Sequence, residues 1–353
     1  MPSADPRAHR LLEAYRGRPT DCTPVWLMRQ AGRYQASYRA LRQRVSFFEL
    51  CRDPDLAAQV TVTAVEELGV DAAIIFSDIL VPVVALGVGV ELTEEGPRIA
   101  PPVRDRAAIE ALRLFDPVEE LPFLLEAIRR TNRALAGRVP LLGFAGAPLT
   151  LASYLVEGGH SRNFIQLKRL LFGDPESAHL LLDKLATMVV RHLRAQVEAG
   201  CHAVQVFDTW AGILAPDDYR ELCLPHLQRI FAELEPLNVP RILFGTTTGS
   251  LLELLRDSGA DVIGVDWRID LAEARRRLGP RIAVQGNLDP CCLWLEEPAL
   301  ERRIRHVLEQ AGPTPGYAFN LGHGVLPGTP PERVRFLVDT VHRLSARPSQ
   351  TTR

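Results

Sequence analysis

RILFGTTTGSLLELLRDSGADVIGVDWRIDLAEARRRLGPRIAVQGNL, residues 241–288, states one pattern three times. The apolar runs RILF (241–244), VIGV (262–265) and RIAV (281–284) are separated by amphipathic stretches that stop at Gly259 and Gly279. Each run is continuous rather than alternating. A strand with one wet face alternates, so these strands are buried on both faces, which is the signature of a parallel sheet covered by helices. Outward from this stretch the pattern continues with VWLM (25–28), AAIIF (72–76), VPLLGF (139–144), AVQVF (203–207) and YAFNL (317–321). Helix signals fill the gaps. Asp53-Pro54 supplies a cap and a first-turn proline ahead of DLAAQVTVTAVEELG, ending at Gly69. Asp174-Pro175 opens a run toward Gly200, and Pro216-Asp217 and Pro330-Pro331-Glu332 repeat the signal. Eight strands alternating with helices predict a single (β/α)8 barrel of parallel strands over residues 1–353. The alternative, an open doubly wound sheet, calls for G-x-G-x-x-G after its first strand. None is present, and Gly87-Val88-Gly89 is too short and in the wrong place. The segment 88–104, beginning VGVELTEEGPRIAPPV, departs from the alternation and predicts a hairpin excursion after strand two, turning at Glu95-Gly96. The tail SARPSQTTR, 345–353, is expected to fray.

Composition excludes several classes. Apolar residues are 46% and charged residues 24% of the 353, a globular balance that rules out disorder and a disulfide-stapled miniprotein. The net charge of −2 provides no basic field for nucleic acid. The N-terminal residues carry no apolar signal-like run, and no stretch approaches the roughly 20 apolar residues of a membrane span. The six cysteines, at 22, 51, 201, 223, 291 and 292, include no C-x-x-C and read as reduced thiols of a cytoplasmic protein. Lys168 and Lys184 are the only lysines, so nearly every cation is an arginine, the residue whose fork suits carboxylates.

Barrel chemistry sits at the C-terminal ends of the strands. Those ends carry Arg29-Gln30-Ala31-Gly32-Arg33, Ser77-Asp78, the small-residue loop Ala145-Gly146-Ala147-Pro148 leading to Tyr154, Asp208-Thr209, Asp266, Gly286-Asn287 and Gly322-His323-Gly324. Two guanidiniums directly after a buried strand imply an anionic substrate, a carboxylate. Asp78 serves equally well as the cap of a following helix, and Asp208 and Asp266 lean toward structural roles. Tyr154 also fits a half-buried core position. His323, between glycines, lies where backbone comes close to a ligand. H-E-x-x-H, H-x-C, C-x-x-C, G-x-x-x-x-G-K-[ST] and G-x-S-x-G are absent, and Cys201-His202 stands at the wrong end of its strand. What remains is charge stabilisation and proton transfer on an anion, the work of a lyase or isomerase of a carboxylate, with no metal and no cofactor.

These same residues resemble the uroporphyrinogen decarboxylase family. PVWLMRQAGRY (24–34) and GFAGAPLTLASYLVEGG (143–159) carry the resemblance. DAAIIFSDIL (71–80), FDTWAG (207–212), VDWRIDL (265–271), QGNLDP (285–290) and NLGHGVLPGTP (320–330) extend it over nearly the whole chain. It implies a cofactor-independent homodimeric barrel that converts uroporphyrinogen III to coproporphyrinogen III and carbon dioxide in haem and chlorophyll synthesis. It assigns substrate binding to Arg29, Gln30, Ala31, Gly32, Arg33, Asp78, Tyr154, Thr209 and His323, with Asp78, Arg29 and Tyr154 closest to the chemistry. Two departures stand out: Gln35-Ala36 in place of a common Leu-Pro, and Gly245-Thr246-Thr247-Thr248-Gly249 where many members carry a lysine. Two other readings are a zinc-dependent corrinoid or thiol methyltransferase of a related barrel family, whose H-x-C motif is missing, and a non-catalytic tetrapyrrole-binding barrel.

Overall fold

The computed structural model describes residues 7–93 and 96–347. Nine strands occur among them: β1 (Ala73–Ile74), β2 (Gly89–Thr93), β3 (Gly96–Ala100), β4 (Leu141–Gly146), β5 (Ala203–Asp208), β6 (Arg241–Gly245), β7 (Val262–Gly264), β8 (Ala283–Leu288) and β9 (Tyr317–Leu321). Seven of them form one sheet in the order β1-β4-β5-β6-β7-β8-β9, every neighbouring pair parallel. Sequential neighbours must be parallel here because a helix returns the chain to the same end before each new strand. β2 and β3 pair antiparallel in a separate ribbon. The turn expected at Glu95-Gly96 involves residues 94–95, which lie outside the described residues.

The first expected strand, VWLM at 25–28, makes only one parallel bridge, Val25 to Phe319. Yet it runs between the two edges of the sheet. Phe319 N–H donates to the Pro24 carbonyl (2.8 Å) on one side, and Asp71 N–H donates to the Val25 carbonyl (2.7 Å) on the other. Buried Asp71 fixes that segment. Its carboxylate accepts from Val25 N–H (2.7 Å), from the Arg10 guanidinium and from His342 Nε2 (2.7 Å), so the first helix, the sheet edge and the last helix meet on one anion.

Side chains alternate along every strand and sort into two cores. Trp26, Met28, Ala72, Leu142, Ala203, Ile242, Phe244, Val262, Ala283 and Ala318 point inward into a cluster that the helix Arg7–Tyr15 closes at the N-terminal end with Leu11, Leu12 and Tyr15. Among these, Trp26 Nε1 donates to Tyr15 Oη (2.8 Å), Tyr15 donates to Gln285 Oε1 (2.5 Å), and Gln285 Nε2 donates to Gln205 Oε1 (2.7 Å). The alternate positions face the helices in a second, larger core. Each fully buried leucine or phenylalanine in these cores contributes about 1.5–3 kcal/mol.

The expected helix boundaries are observed. Pro54–Leu68 starts on Asp53, whose side chain accepts from Asp55 and Leu56 N–H, and stops at Gly69, where φ of +70° suits glycine. Pro175–Glu198 starts on Asp174 in the same way. The last helix, Pro331–Ser345, is tied down rather than loose at its end: Thr23 N–H donates to Ser345 Oγ (2.9 Å) and Arg347 N–H to the Asp21 carbonyl (2.7 Å). The remainder of the tail expected to fray, 348–353, lies outside the described residues. Among the described residues no helix is long and apolar enough to cross a membrane, and the six cysteines form no disulfide.

Candidate active site

The top layer of the inward cluster is aromatic. Phe144, Phe207 and Phe244, from β4, β5 and β6, stack edge to face at 5.6 Å and 6.0 Å between centroids, and Phe244 meets the His323 ring at 6.5 Å. Phe144 and Phe207 are only half-buried although they stand on central strands. Their free edges are therefore open toward the C-terminal end of the sheet, and polar groups from the strand ends stand around this apolar floor.

Three aspartates end strands or follow them, and their surroundings separate their roles. Asp208 is buried. Its Oδ1 accepts from Thr150 Oγ1 (3.0 Å) and its Oδ2 from Tyr219 Oη (2.7 Å), while burial pushes its carboxyl up to about 6. Asp266 is buried too. It accepts from Thr247 N–H (2.7 Å), from Arg268 N–H (3.1 Å) and from the Arg268 guanidinium (2.5 Å). Both anions are occupied in holding loops. Asp78 is half-buried, and its Oδ1 accepts from Leu80 N–H (2.8 Å) to start the next turn, whereas its Oδ2 has no hydrogen-bond partner among the described residues. Burial raises the Asp78 carboxyl above the ordinary value, and the Leu80 N–H and the nearby Arg29 charge pull against that shift.

Arg29 sits in a left-handed backbone conformation, φ +59°, at the end of the first segment. Non-glycine residues occupy that region rarely, so the loop must be held from outside. Gln30 N–H donates to the Leu27 carbonyl (3.1 Å) and Val325 N–H to the Met28 carbonyl (2.9 Å). The stem of Arg29 lies against Gly324, where any β-carbon would stand 2.5 Å from Cδ and 2.7 Å from Cγ. Tyr154, on the helix Pro148–Glu157, completes the group. Burial raises its phenol, and it lies within the fields of both Asp78 and Arg29. His323 is half-buried, and its Nδ1 accepts from Gly324 N–H (2.7 Å). That leaves the proton on Nε2. Burial first, then Arg29 and Arg268, bring the imidazole down to about 4, so it is a neutral donor at neutral pH.

The structure thus gathers Arg29, Asp78, Tyr154 and His323 at one rim. Other expected residues stand differently. The Gln30 side chain is buried and turned inward, accepting from Leu27 N–H (3.2 Å) and donating to the Ala72 carbonyl (3.0 Å), so it holds the loop. Gly32 N–H donates to Gln35 Oε1 (3.1 Å), which shapes the turn, and Ala31 packs against the core. Arg33 is exposed at the lip, where its charge reaches Tyr38 rather than Asp78. Thr209 is half-buried, with its carbonyl taken by Thr246 Oγ1 (2.6 Å). Sequence reasoning did not single out the phenylalanine floor or the Trp267-Arg268 pair. The aromatics look like core, and only their half-exposure at strand ends sets them apart. Among the described residues no three His, Cys, Asp or Glu side chains come together as metal ligands.

The described residues thus form a curled parallel sheet flanked by helices, with an aromatic floor, a guanidinium and a carboxylate at the C-terminal ends of its strands. The family model for uroporphyrinogen decarboxylase matches residues 6–344. Uroporphyrinogen decarboxylase of Myxococcus xanthus is 54% identical over 334 residues, 95% of this chain and 96% of that one, and that of Sorangium cellulosum is 52% identical over 336 residues with the same coverage. That of Pelobacter propionicus is 50% identical, covering 95% of this chain and 98% of its own. The chain belongs to the uroporphyrinogen decarboxylase family, carboxy-lyases of porphyrin biosynthesis. Among solved structures, a methyltransferase from Methanosarcina mazei superposes with a TM-score of 0.81 at 20% identity, covering 96% of this chain and 98% of that one. A putative vitamin-B12-independent methionine synthase from Listeria monocytogenes gives 0.59 at 15% identity, covering 93% and 99%. These two show a shared fold.

Proposed function

We propose that this protein removes the carboxyl groups of the four acetate arms of uroporphyrinogen III, leaving coproporphyrinogen III, with no cofactor. The observation that carries the reading is the unpartnered Oδ2 of Asp78 above an apolar floor, when Asp208 and Asp266 are both fully engaged. A pyrrole acetate needs an electron sink before it can lose carbon dioxide. Protonating the adjacent ring carbon makes the ring a cation. The bond to the carboxylate then breaks, its electron pair neutralises the ring and leaves an exocyclic methylene, and protonation there gives the methyl group as the ring carbon loses its proton. One proton is consumed for each carbon dioxide released.

Asp78 stabilises the cation, which exists only along the reaction path. Burial makes its charge unfavourable in the free enzyme. The pyrrole N–H groups replace the lost hydration when the macrocycle binds, so the anion is restored where it is needed. Arg29 polarises a carboxyl group or water as proton donor, because a guanidinium is itself too weak an acid. Tyr154 and the Nε2–H of His323 orient the ring, Arg33 and the Thr209 hydroxyl take peripheral carboxylates, and Gln30, Ala31 and Gly32 form the wall. With the segment 24–28 as first stave, the sheet reads as an eight-stave barrel of one domain, with β2–β3 as its hairpin excursion. The family resemblance supports a cytoplasmic homodimer. The test is anaerobic incubation with uroporphyrinogen III and counting of product carboxyls. Hepta- to tetracarboxylic products are expected, and recovery of unchanged octa-acid refutes the reading.

A further inference from the structure

We propose that Arg268 is a further substrate-positioning residue, a guanidinium clamp for a carboxylate arm on the side of the mouth opposite the Arg29–Asp78 pair. The inference deepens the decarboxylase reading and rests on it for the identity of the ligand. Arg268 follows β7 at a strand end, where side chains reach the mouth. Its position is fixed from two sides. One terminal nitrogen donates to buried Asp266 (2.5 Å), and the guanidinium lies over the Trp267 ring at 4.2 Å. Trp267 is in turn wedged against the turn that carries His323. A β-carbon on Gly322 would stand 2.6 Å from Trp267 N and 2.7 Å from its ring, so no larger residue fits there and the two loops are in direct contact. The Trp267–Gly322 contact sets Arg268 beside the turn that carries His323, and its charge, like that of Arg29, is felt at the His323 ring.

The clamp is only partly used by the protein. Of the five N–H groups of this half-exposed side chain, the described residues accept from one. Stacking on Trp267 leaves the edge of the fork open, the geometry in which arginine grips a carboxylate through paired N–H bonds. Asp266 also holds Thr247 N–H (2.7 Å), which binds this turn to the loop 245–249, and that loop contributes only threonine hydroxyls and glycines. The neighbouring turn therefore supplies the cation on that stretch of the rim. An octa-anionic macrocycle gripped by Arg29 and Arg33 alone would leave its far arms facing water with no counter-charge.

The experiment measures affinity for uroporphyrin III, the oxidised octacarboxylate that is not turned over, by quenching of tryptophan fluorescence at several salt concentrations. Arg268→Gln is expected to weaken binding about tenfold, the scale of one lost charge-assisted pair, and to flatten the salt dependence. Arg268→Lys recovers part of the loss. Asp266→Asn separates clamp from brace. Its amide oxygen still accepts a backbone N–H while the ion pair is lost, so a clamp, held less firmly but still cationic, predicts a smaller loss than in Arg268→Gln and a salt dependence like wild type, while a mere brace predicts that both variants weaken alike. Parallel losses in Arg268→Gln and Asp266→Asn, or affinity within twofold of wild type in Arg268→Gln, overturn the proposal. Gas release by the wild-type enzyme is assayed separately: binding with this pattern but no decarboxylation sinks the functional reading and leaves the clamp standing.

Discussion

Gly324→Ala tests whether the site depends on the placement of Arg29. The glycine does not occupy the left-handed region, so alanine is acceptable to its backbone, and its N–H bond to His323 Nδ1 is kept. The conflict is with one neighbour. The new methyl would stand 2.5 Å from Arg29 Cδ, 2.7 Å from Cγ and 3.1 Å from Cβ. Carbon atoms rest at about 3.5–4.0 Å, so the stem must retreat by about 1 Å. It cannot retreat through its backbone, which is pinned at φ +59° by the Leu27 and Met28 carbonyl bonds. The whole shift therefore falls on the guanidinium. A displacement of about 1 Å at a reacting centre costs about 10²-fold. The expected result is a fall of that order in kcat/KM for uroporphyrinogen III, with little change in thermal stability. A double-mutant cycle identifies the route: in an Arg29→Ala background the Cγ and Cδ conflict is gone, and Gly324→Ala should then cost less than about threefold. A full penalty in that background, or near-normal turnover in the single variant, refutes the assignment.

Three further outcomes are expected. Asp78→Asn loses at least about 10²-fold in kcat, the scale of a removed preorganised electrostatic partner, while its unfolding midpoint stays level or rises because the buried charge is gone; a kcat within threefold of wild type is incompatible with its role. Gln30→Ala leaves the Leu27 N–H and Ala72 carbonyl unpaired in the core, and urea unfolding should show a loss of about 3 kcal/mol. A loss below about 0.5 kcal/mol, the scale of an ordinary surface substitution, contradicts the loop-holding assignment. His192, buried with Nδ1 unpartnered, is held down to about 4 by burial. Its folded value lies below its unfolded one, so the native state is fully favoured above about pH 6.5, and stability drops by about 1.4 kcal/mol per pH unit from there to about pH 4. His192→Leu should remove that slope, and parallel stability curves for the two proteins rule the effect out.

The order of residues along the chain was enough to set the alternation of buried strands and capped helices, and with it which residues stand at the C-terminal ends of the strands. Continuous runs such as YAFNL recur as β9 over the same residues, and Asp53-Pro54 and Gly69 bracket a helix as read. Such features are local: burial on both faces, a cap and a left-handed stop are each written within a few residues. Which rim residue does what was decided only by tertiary contacts. Asp78, Asp208 and Asp266 look alike in the chain, yet Tyr219 and Thr150 claim one, Arg268 and Thr247 claim another, and the first keeps a free oxygen. Gln30 stands in the same loop as Arg29, but its partner is the Ala72 carbonyl, 42 residues away. VWLM is as apolar as its counterparts and still forms a single bridge, to Phe319 near the far end of the chain, with a further backbone bond from Asp71 on its other side. Hydrogen-bond partners and the space beside a side chain are set by segments brought together from distant parts of the chain, and no local pattern encodes them.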